Sequence, residues 1–365
     1  MLQSMEQAPQ SCCCCGSPEQ KPEERPVTGL PKKEIVQVDS SLSWKDCLGF
    51  AAMRLGFGRD RYSIEPGLYS IGKPDTESPV LVTANYKMTF DVLRSHLSGV
   101  NAWILVLDTH GVNVWCAAGK GTFSTDELVR QVEGNEIASV VSHRELIVPQ
   151  LGGPGIAAHE VKKRTGFKVL YGPIRAKDIK PYLDAGKKVT PEMRQIRFPF
   201  WDRVVLSPLE VVVMFKWFCL LAVLVYLIAG IRGLSFSFES LLQVGIPSVG
   251  ILTACWLAAA FLIPALLPWL PGRMLSVKGI CVGILLAGIV ALNWWMFKIP
   301  FDNGVSVGGF GLIVIALSSY FGLILTGSMP YTSLSGVKKE MRKSVPVIVF
   351  LFVTGTVLWT IGRFV

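Results

Sequence analysis

Charge is scarce in this 365-residue sequence: Asp, Glu, Lys and Arg make up 17% of it, half of the residues are apolar, and the mean hydropathy is +0.44. A water-soluble domain carries about 25% charged residues, so the shortage argues against an ordinary soluble protein. The shortage is also uneven. Residues 208–365 hold ten Lys/Arg and four Asp/Glu, which leaves 26 of the 36 basic and 23 of the 27 acidic residues for positions 1–207. The front is a normally charged polypeptide of about +3 and the back an apolar block of about +6. That pattern predicts a water-soluble domain followed by a membrane domain. The total of +9 then comes from basic segments beside bilayer spans, and no nucleic-acid partner is expected.

Spaced cysteines are lacking too. Of the nine, Cys12, Cys13, Cys14 and Cys15 are consecutive, Cys219, Cys255 and Cys281 lie in apolar runs, and Cys47 and Cys116 remain. This excludes a secreted disulfide framework. The N-terminus has no apolar h-region, so no signal peptide is expected and the front portion should stay in the reducing cytoplasm. Residues 1–40 are polar and Pro-rich and read as a disordered tail. Its adjacent thiols either trap a soft metal or do incidental chemistry. They do not have the spacing of a cluster site, so no intrinsic iron–sulfur cluster is expected.

The back, residues 209–365, contains five apolar stretches: Leu209–Ile231, Val244–Leu270, Gly279–Phe297, Val305–Thr326 and Val345–Gly362. Each is near the roughly 20 residues that a transmembrane helix needs. Pro247, Pro264 and Pro268 predict kinks or a ragged end. Lys187, Lys188, Arg194, Arg197, Arg203, Arg273, Lys278, Lys338, Lys339, Arg342 and Lys343 flank one side, against Arg232, Lys298 and Arg363 on the other. The excess predicts an inner-membrane protein with a cytoplasmic front domain and an outside C-terminus. Glu210 and Lys216 are six residues apart, about 240° around a helix, and cannot face each other. With no paired intramembrane charge and no repeat, an anchor is favoured over a transporter with a regulatory domain. The stretch Thr332–Lys343 reads as a basic loop, open to a partner, to anionic lipid, or to no ligand.

The front, residues 41–190, precedes a linker at 191–208. From about residue 78 short apolar strands alternate with helix-like segments. Val80–Thr83, Trp103–Leu107, Leu146–Val148 and Phe167–Leu170 read as strands, and Thr89–Leu97, Ser124–Val132, Gly155–Lys163 and Arg175–Leu183 as helices. Alternation of this kind predicts an α/β, Rossmann-like domain with a largely parallel sheet. Ser124 with Glu127 suggests a capping box. Ligands of such sheets bind beyond the carboxyl ends of the strands.

One segment at that edge stands out. Asn113 is a good N-cap, Gly119 or Gly121 a good helix stop, and a helix of one or two turns fits between them. Cys116 is then its third residue, near the positive end of the helix dipole, which favours thiolate. Ala117 and Ala118 leave room for something large and flat. A buried structural cysteine would account for the same residues.

Asn113-Val114-Trp115-Cys116-Ala117-Ala118-Gly119-Lys120 resembles the signature of the HgcA family of mercury-methylating corrinoid proteins. Val82–Lys87, Val148–Gly155 and Ala158–Gly166 resemble the same family, and also the large subunit of the corrinoid iron–sulfur protein of acetyl-CoA synthesis. The likeness covers about residues 65–190; the five-span tail accords with the first family. The resemblance implies a cobalamin-type corrinoid with Cys116 as lower axial ligand to cobalt. It implies that Asn113 orients the helix and Trp115 packs under the ring or against the sheet. Val114 and Ala117 to Lys120 complete the corrinoid-facing helix, and Thr83, Asn85, Thr89, Gly152, Gly153 and Ala176 contact the ring substituents. His96, His110, His143 and His159 are expected to be structural or exposed. The implied reaction passes a methyl group from methyltetrahydrofolate or a methyl-donor protein to Hg(II). It needs a ferredoxin-like iron–sulfur reductant of the HgcB type. A methyl carrier of one-carbon and acetyl-CoA metabolism is the alternative.

Overall fold

A computed structural model of the chain describes residues 35–58, 61–297, 300–329, 332 and 334–364. Cys12 to Cys15 lie outside them. Two compact units emerge: residues up to Met53 with Phe57–Arg197, and Phe198–Val365 with Arg54–Gly56.

The first unit is built on six strands, β1 Val36–Val38, β2 Gly67–Ile71, β3 Val80–Ala84, β4 Ala102–Leu107, β5 Glu145–Val148 and β6 Lys168–Tyr171. Their helices are α1 Trp44–Arg54, α2 Lys87–Ser95, α3 Val114–Lys120, α4 Thr125–Gly134, α5 Ile137–Val140, α6 Ala158–Thr165 and α7 Ile179–Asp184. The sheet order is β1–β2–β4–β3–β5–β6. Every neighbouring pair is parallel except β2 with β4, where Gly67 faces Val106 and Ile71 faces Ala102. The expected largely parallel α/β sheet is therefore present. Its central strands are continuous Val/Leu/Ile runs because both faces are covered. On one face Leu81, Ile104 and Ile147 pack with Phe90 and Leu93 of α2 and Tyr182 of α7. On the other, Val82, Leu105 and Leu146 pack with Leu128 of α4 and Val161 of α6.

Strands β1 and β2 fall outside the expected alternation. β2 is five residues between Pro66 and Gly72, turn formers that hide it. β1 lies inside the stretch read as a tail to residue 40, so the ordered chain starts earlier. Long-range bonds hold this region. The Arg94 guanidinium donates to the carbonyls of Asp39 and Ser41, each at 2.7 Å. It also pairs with Asp91 at 2.7 Å and Asp46 at 2.9 Å, and Lys87 bridges the same two carboxylates. Two acids and two bases thus form a neutral, hydrogen-bonded group tying α1 to α2. Burial alone would raise the Asp46 carboxyl, but hydrogen bonds from Lys87 and Ser43 hold it well below the usual carboxylate range. Likewise, burial disfavours charge on Lys87, and its bonds to Asp46 and Asp91 overcome this and raise its pKa.

The expected linker also differs. Val189 and Met193 pack against the sheet, and the Met193 carbonyl accepts from Ile174 N at 3.0 Å. The first unit therefore runs on to Arg197.

The second unit has five helices long and apolar enough to cross a membrane: Phe200–Ala229, Phe238–Leu266, Leu275–Phe297, Gly304–Ser328 and Ser335–Ile361. The first comprises α8 Phe200–Val204 and α9 Ser207–Ala229, and the second α10 Phe238–Ser240 and α11 Ile246–Leu266. The others are α12 Leu275–Phe297, α13 Gly304–Ser328 and α14 Leu334–Ile361. Pro247 sits in the first turn of α11 and Pro264 inside it, where Arg203 Nε donates to the Pro264 carbonyl at 2.9 Å. α13 is the most buried of the five, and α12 lies so close that a Cβ on Gly279 would come within 2.3 Å of the Ser318 carbonyl oxygen. Val345–Gly362, the shortest of the five apolar stretches, belongs to α14, the longest single α element at 28 residues. The segment read as a basic loop from Thr332 enters this helix at Leu334, and residues 334–343 form its first three turns, with Lys338, Lys339, Arg342 and Lys343 exposed. Lys, Glu, Met and Arg are good helix formers, so the helix continues past the apolar run that marked its span.

Candidate functional site

The chain runs β3–α2–β4 to one side and then crosses to β5 on the other. That reversal opens a crevice between β3 and β5, the place where such sheets bind ligands. A cavity of about 410 Å³ lies there. β3 contributes Leu81, Val82 and Thr83, and α2 contributes Met88, Thr89, Val92 and Leu93. Asn113, Val114 and Trp115 of the α3 start form another wall. Ile147, Pro149, Leu151 and the Gly172–Ile174 turn with Ala176 and Ile179 close the remainder. Thr83, Thr89 and Asn113 supply polar side chains in an otherwise apolar lining, as a site for a largely apolar ligand requires. Trp115 is 42% exposed and Val92 37%, so apolar surface is left open.

Helix α3 is held at the crevice by a fully bonded loop. Asp108 N donates to Glu127 Oε1 at 2.8 Å, Thr109 N to Asn85 Oδ1 at 3.0 Å and His110 N to Asp108 Oδ1 at 3.1 Å. Gly111 N donates to Asn85 Oδ1 at 3.0 Å and Val112 N to the Thr109 carbonyl at 3.1 Å. Five successive amides therefore each have a named acceptor. Asn85 Nδ2 also donates to Asp108 Oδ1 at 3.2 Å. The loop turns through two left-handed residues, His110 at φ 55° and Gly111 at φ 70°. For His110 that conformation costs roughly 1–2 kcal/mol, which these bonds must offset. Asn113 then caps the helix, its Oδ1 accepting from Cys116 N at 2.9 Å, and Gly121 ends it in the left-handed conformation at φ 79°.

The expected cap helix thus spans Val114–Lys120, with Cys116 as its third residue, half-buried. Of the sequence-derived candidates, Thr83, Thr89, Asn113, Val114, Trp115 and Ala176 line the cavity. Cys116 is the next position on the same helix and is not part of the lining. Other candidates take different places. Asn85 is 5% exposed, and both of its side-chain atoms are bonded to the Asp108–Gly111 loop, so it braces the loop. Ala117 and Ala118 are buried in the core, not beside an open space. Their small size lets the 3-10 turn Gln150–Gly155 pack against α3. A Cβ on Gly155 would come within 2.0 Å of the Phe123 carbonyl oxygen and one on Gly152 within 2.4 Å of the Phe123 ring. Gly153 would meet Tyr171 at an ordinary 3.6 Å. Gly119 and Lys120 are exposed. The capping box is half formed: Ser124 Oγ accepts from Glu127 N at 3.2 Å, while the Glu127 carboxylate turns to Asp108, Arg130 and Gln131. Met88, Val92 and Leu93, which the sequence pattern does not single out, also line the cavity from α2, which begins two residues earlier than that pattern suggests.

The donor set bears on what metal could be held. Among the described residues no three His, Cys, Asp or Glu side chains come together to hold a metal ion. A metal already enclosed in a macrocycle asks less of the protein: one axial donor. Cys116 is one sulfur donor on a rigidly mounted helix, beside an apolar crevice with exposed Trp115. The residues present fit a corrinoid in that sense. His143 Nε2, 2.9 Å from the Ser78 carbonyl, and His96 Nδ1, 2.8 Å from that of Val92, are engaged elsewhere. His110 and His159 are exposed.

A family profile described as CdhD, CO dehydrogenase/acetyl-CoA synthase delta subunit, matches residues 57–183. The acetyl-CoA decarbonylase/synthase complex subunit gamma of Archaeoglobus fulgidus is 34% identical over 131 residues, which is 34% of this chain and 27% of that protein. The subunit of that name from Methanopyrus kandleri is 33% identical over 128 residues, 34% and 27% of the two chains. That of Methanocaldococcus jannaschii is 34% identical over 116 residues, 31% and 23%. The chain spans about a quarter of the length of these relatives. The profile match, residues 57–183, lies within the α/β unit and includes the cavity and α3.

Proposed function

We propose that the α/β unit binds a corrinoid and that the chain is a membrane-anchored, corrinoid-dependent methyl-transfer protein. The observation that carries this reading is α3: an Asn113-capped helix, mounted on a fully bonded loop at the sheet's crevice, with the Cys116 thiol in its first turn. Likeness to acetyl-CoA decarbonylase/synthase subunits supports a methyl carrier in one-carbon and acetyl-CoA chemistry. A second reading has Hg(II) as the acceptor, giving methylmercury. The Asn113–Lys120 motif, the Cys116 thiol and the five apolar helices favour it.

A bound corrinoid supplies a cobalt that accepts a methyl group and gives it up. The chain's own residues act around it. The Cys116 thiolate would be the protein's donor to the cobalt, and its electron donation suits delivery of methyl with its bonding electrons to an electrophile such as Hg(II). Asn113 holds the first turn so that the sulfur keeps its height. Val114 and Trp115 cover apolar ring surface, and Thr83 and Thr89 offer hydroxyls to polar substituents, with Ala176 leaving space for them. A methyl donor, methyltetrahydrofolate or a protein carrying its equivalent, and a ferredoxin-like iron–sulfur reductant of the HgcB type are the implied partners. Positive charge flanking the spans supports a cytoplasmic α/β unit and an outside C-terminus in the inner membrane.

The test is anaerobic. Purified full-length protein is loaded with cobalamin, supplied with reductant and methyl donor, and assayed for methylmercury from Hg(II) and for methyl transfer to an acetyl-CoA synthase. Absence of cobalamin binding overturns the reading; methyl transfer without methylmercury leaves the carrier reading alone.

A further inference from the structure

We infer that Asn85 is a positioning residue that sets the place of the Cys116 sulfur, although it touches neither the cavity nor α3. The inference deepens the corrinoid reading and rests on it. Asn85 sits at the carboxyl end of β3, 5% exposed, where its backbone N–H donates to the Leu107 carbonyl at 3.0 Å and its carbonyl accepts from Ile64 N at 2.9 Å. It is therefore fixed to the sheet through its backbone. Its side chain is fixed to the loop: Oδ1 takes the Thr109 and Gly111 amides, each at 3.0 Å, and Nδ2 reaches Asp108 Oδ1 at 3.2 Å. The Thr109 hydroxyl lies 2.8 Å from Oδ1 and 2.6 Å from the Val112 carbonyl, adjacent to the cap residue Asn113. One amide side chain thus joins the rigid sheet to the strained His110–Gly111 turn, and that turn delivers Asn113 and its helix. An axial ligand needs that kind of support, because sub-ångström changes in its height alter the strength of the bond it makes. Without Asn85 the turn would lose the acceptor that holds two amides in place. It would relax, and the sulfur would no longer be held at a single height.

The experiment uses full-length protein in detergent, loaded with hydroxocobalamin, comparing wild type with N85A, N85D, T109V and C116A. Visible absorption reports thiolate ligation, and titration reports affinity. N85A should bind cobalamin within about threefold of wild type, since the cavity lining is untouched, while the ratio of ligated to unligated cobalt falls roughly tenfold toward the C116A spectrum. N85D keeps the acceptor oxygen for the Thr109 and Gly111 amides but replaces the bond to Asp108 with a second carboxylate, so its spectrum should fall between those of N85A and wild type. T109V, losing only a hydroxyl, should shift a smaller share and carries the test if N85A does not fold. A wild-type spectrum in both N85A and T109V overturns the inference while leaving the corrinoid reading standing. Loss of affinity in N85A in step with the spectrum makes Asn85 a cofactor contact and overturns it too. Absence of a thiolate spectrum in wild type overturns both.

Discussion

The two units bury polar groups in opposite ways. In the α/β unit they are gathered: Asp46, Lys87, Asp91 and Arg94 form one neutral group, and the amides of Asp108–Val112 are tied up by side chains from β3, α4 and the loop itself. In the helical unit they serve helix ends and close approaches. Arg203 takes the Pro264 carbonyl, Glu340 Oε1 accepts from Ser276 N, and Gly279 lets α12 lie against α13. A segment in hydrocarbon must satisfy its backbone within its own helix, so it has no irregular loop to spare for mounting a reactive side chain. An α/β sheet has such loops wherever a strand ends. On the proposed reading the front does the chemistry and the back anchors it, and each of the following experiments can break that division.

The largest effect is expected at Cys116. C116A should abolish thiolate ligation in bound cobalamin and lower methyl transfer more than a hundredfold. C219S and C281S in the helical unit should leave both within twofold. A helical-unit cysteine with an effect like that of Cys116 would break the division of labour.

Next come the glycines that bring backbones together. G155A places a Cβ against the Phe123 carbonyl, and G279A places one against that of Ser318. Overpacking of this kind costs about 1–3 kcal/mol, read as a lower melting temperature in each variant. The two should differ in function. G155A pushes on α3 and should weaken cobalamin binding more than tenfold, and G279A should leave it unchanged. Equal loss in both would mean that the helical unit shapes the site.

The buried charges predict a pH response confined to the α/β unit. Folding lowers the Asp46 pKa, so its contribution to stability is complete above the ordinary aspartate value near 3.9 and fades as pH falls through the lower folded value. Lys87 is raised, so its contribution is complete below about 10.4 and fades as pH rises through the folded value. Protection of α1 and α2 amides against hydrogen exchange, relative to the intrinsic rate at each pH, should therefore fall at acidic pH, and D46N should remove the acidic dependence. Protection lost equally in α12 and α13 would contradict this. The smallest effect is expected from H110G, which relieves a left-handed histidine and should change stability by no more than about 1 kcal/mol.

What could be read from the sequence followed the range of the forces involved. Asn113 caps its helix through a bond to Cys116 three residues on, and Gly121 ends it, so the whole of α3 is local information. The parallel strands carry their burial as unbroken Val/Leu/Ile runs. β1 and β2 carry no such mark: β1 is held by pairing with β2, β2 by pairing with β4, and the chain after β1 by Arg94, which reaches across more than fifty positions. Asn85 shows the same reach: its place at a strand end suggests a ligand contact, and its side-chain partners, 23 to 26 residues away, lie on the loop. Ala117 and Ala118 read as small residues that leave room, and the Gln150–Gly155 turn packs into it. In the helical unit, composition located each span, while the start of α14 depended on helix propensity in a charged stretch that hydropathy ignores.

That last extension changes how four cations behave. On a helix Lys338, Lys339, Arg342 and Lys343 fall within an arc of about 140°, with roughly 6 Å of rise separating Lys338 from Arg342. A loop could wrap its charges around whatever anion approached, losing chain entropy each time. A rigid rod carries the same charges like the teeth of a comb: their spacing is set before any encounter, and only a surface with matching intervals can meet all of them at once.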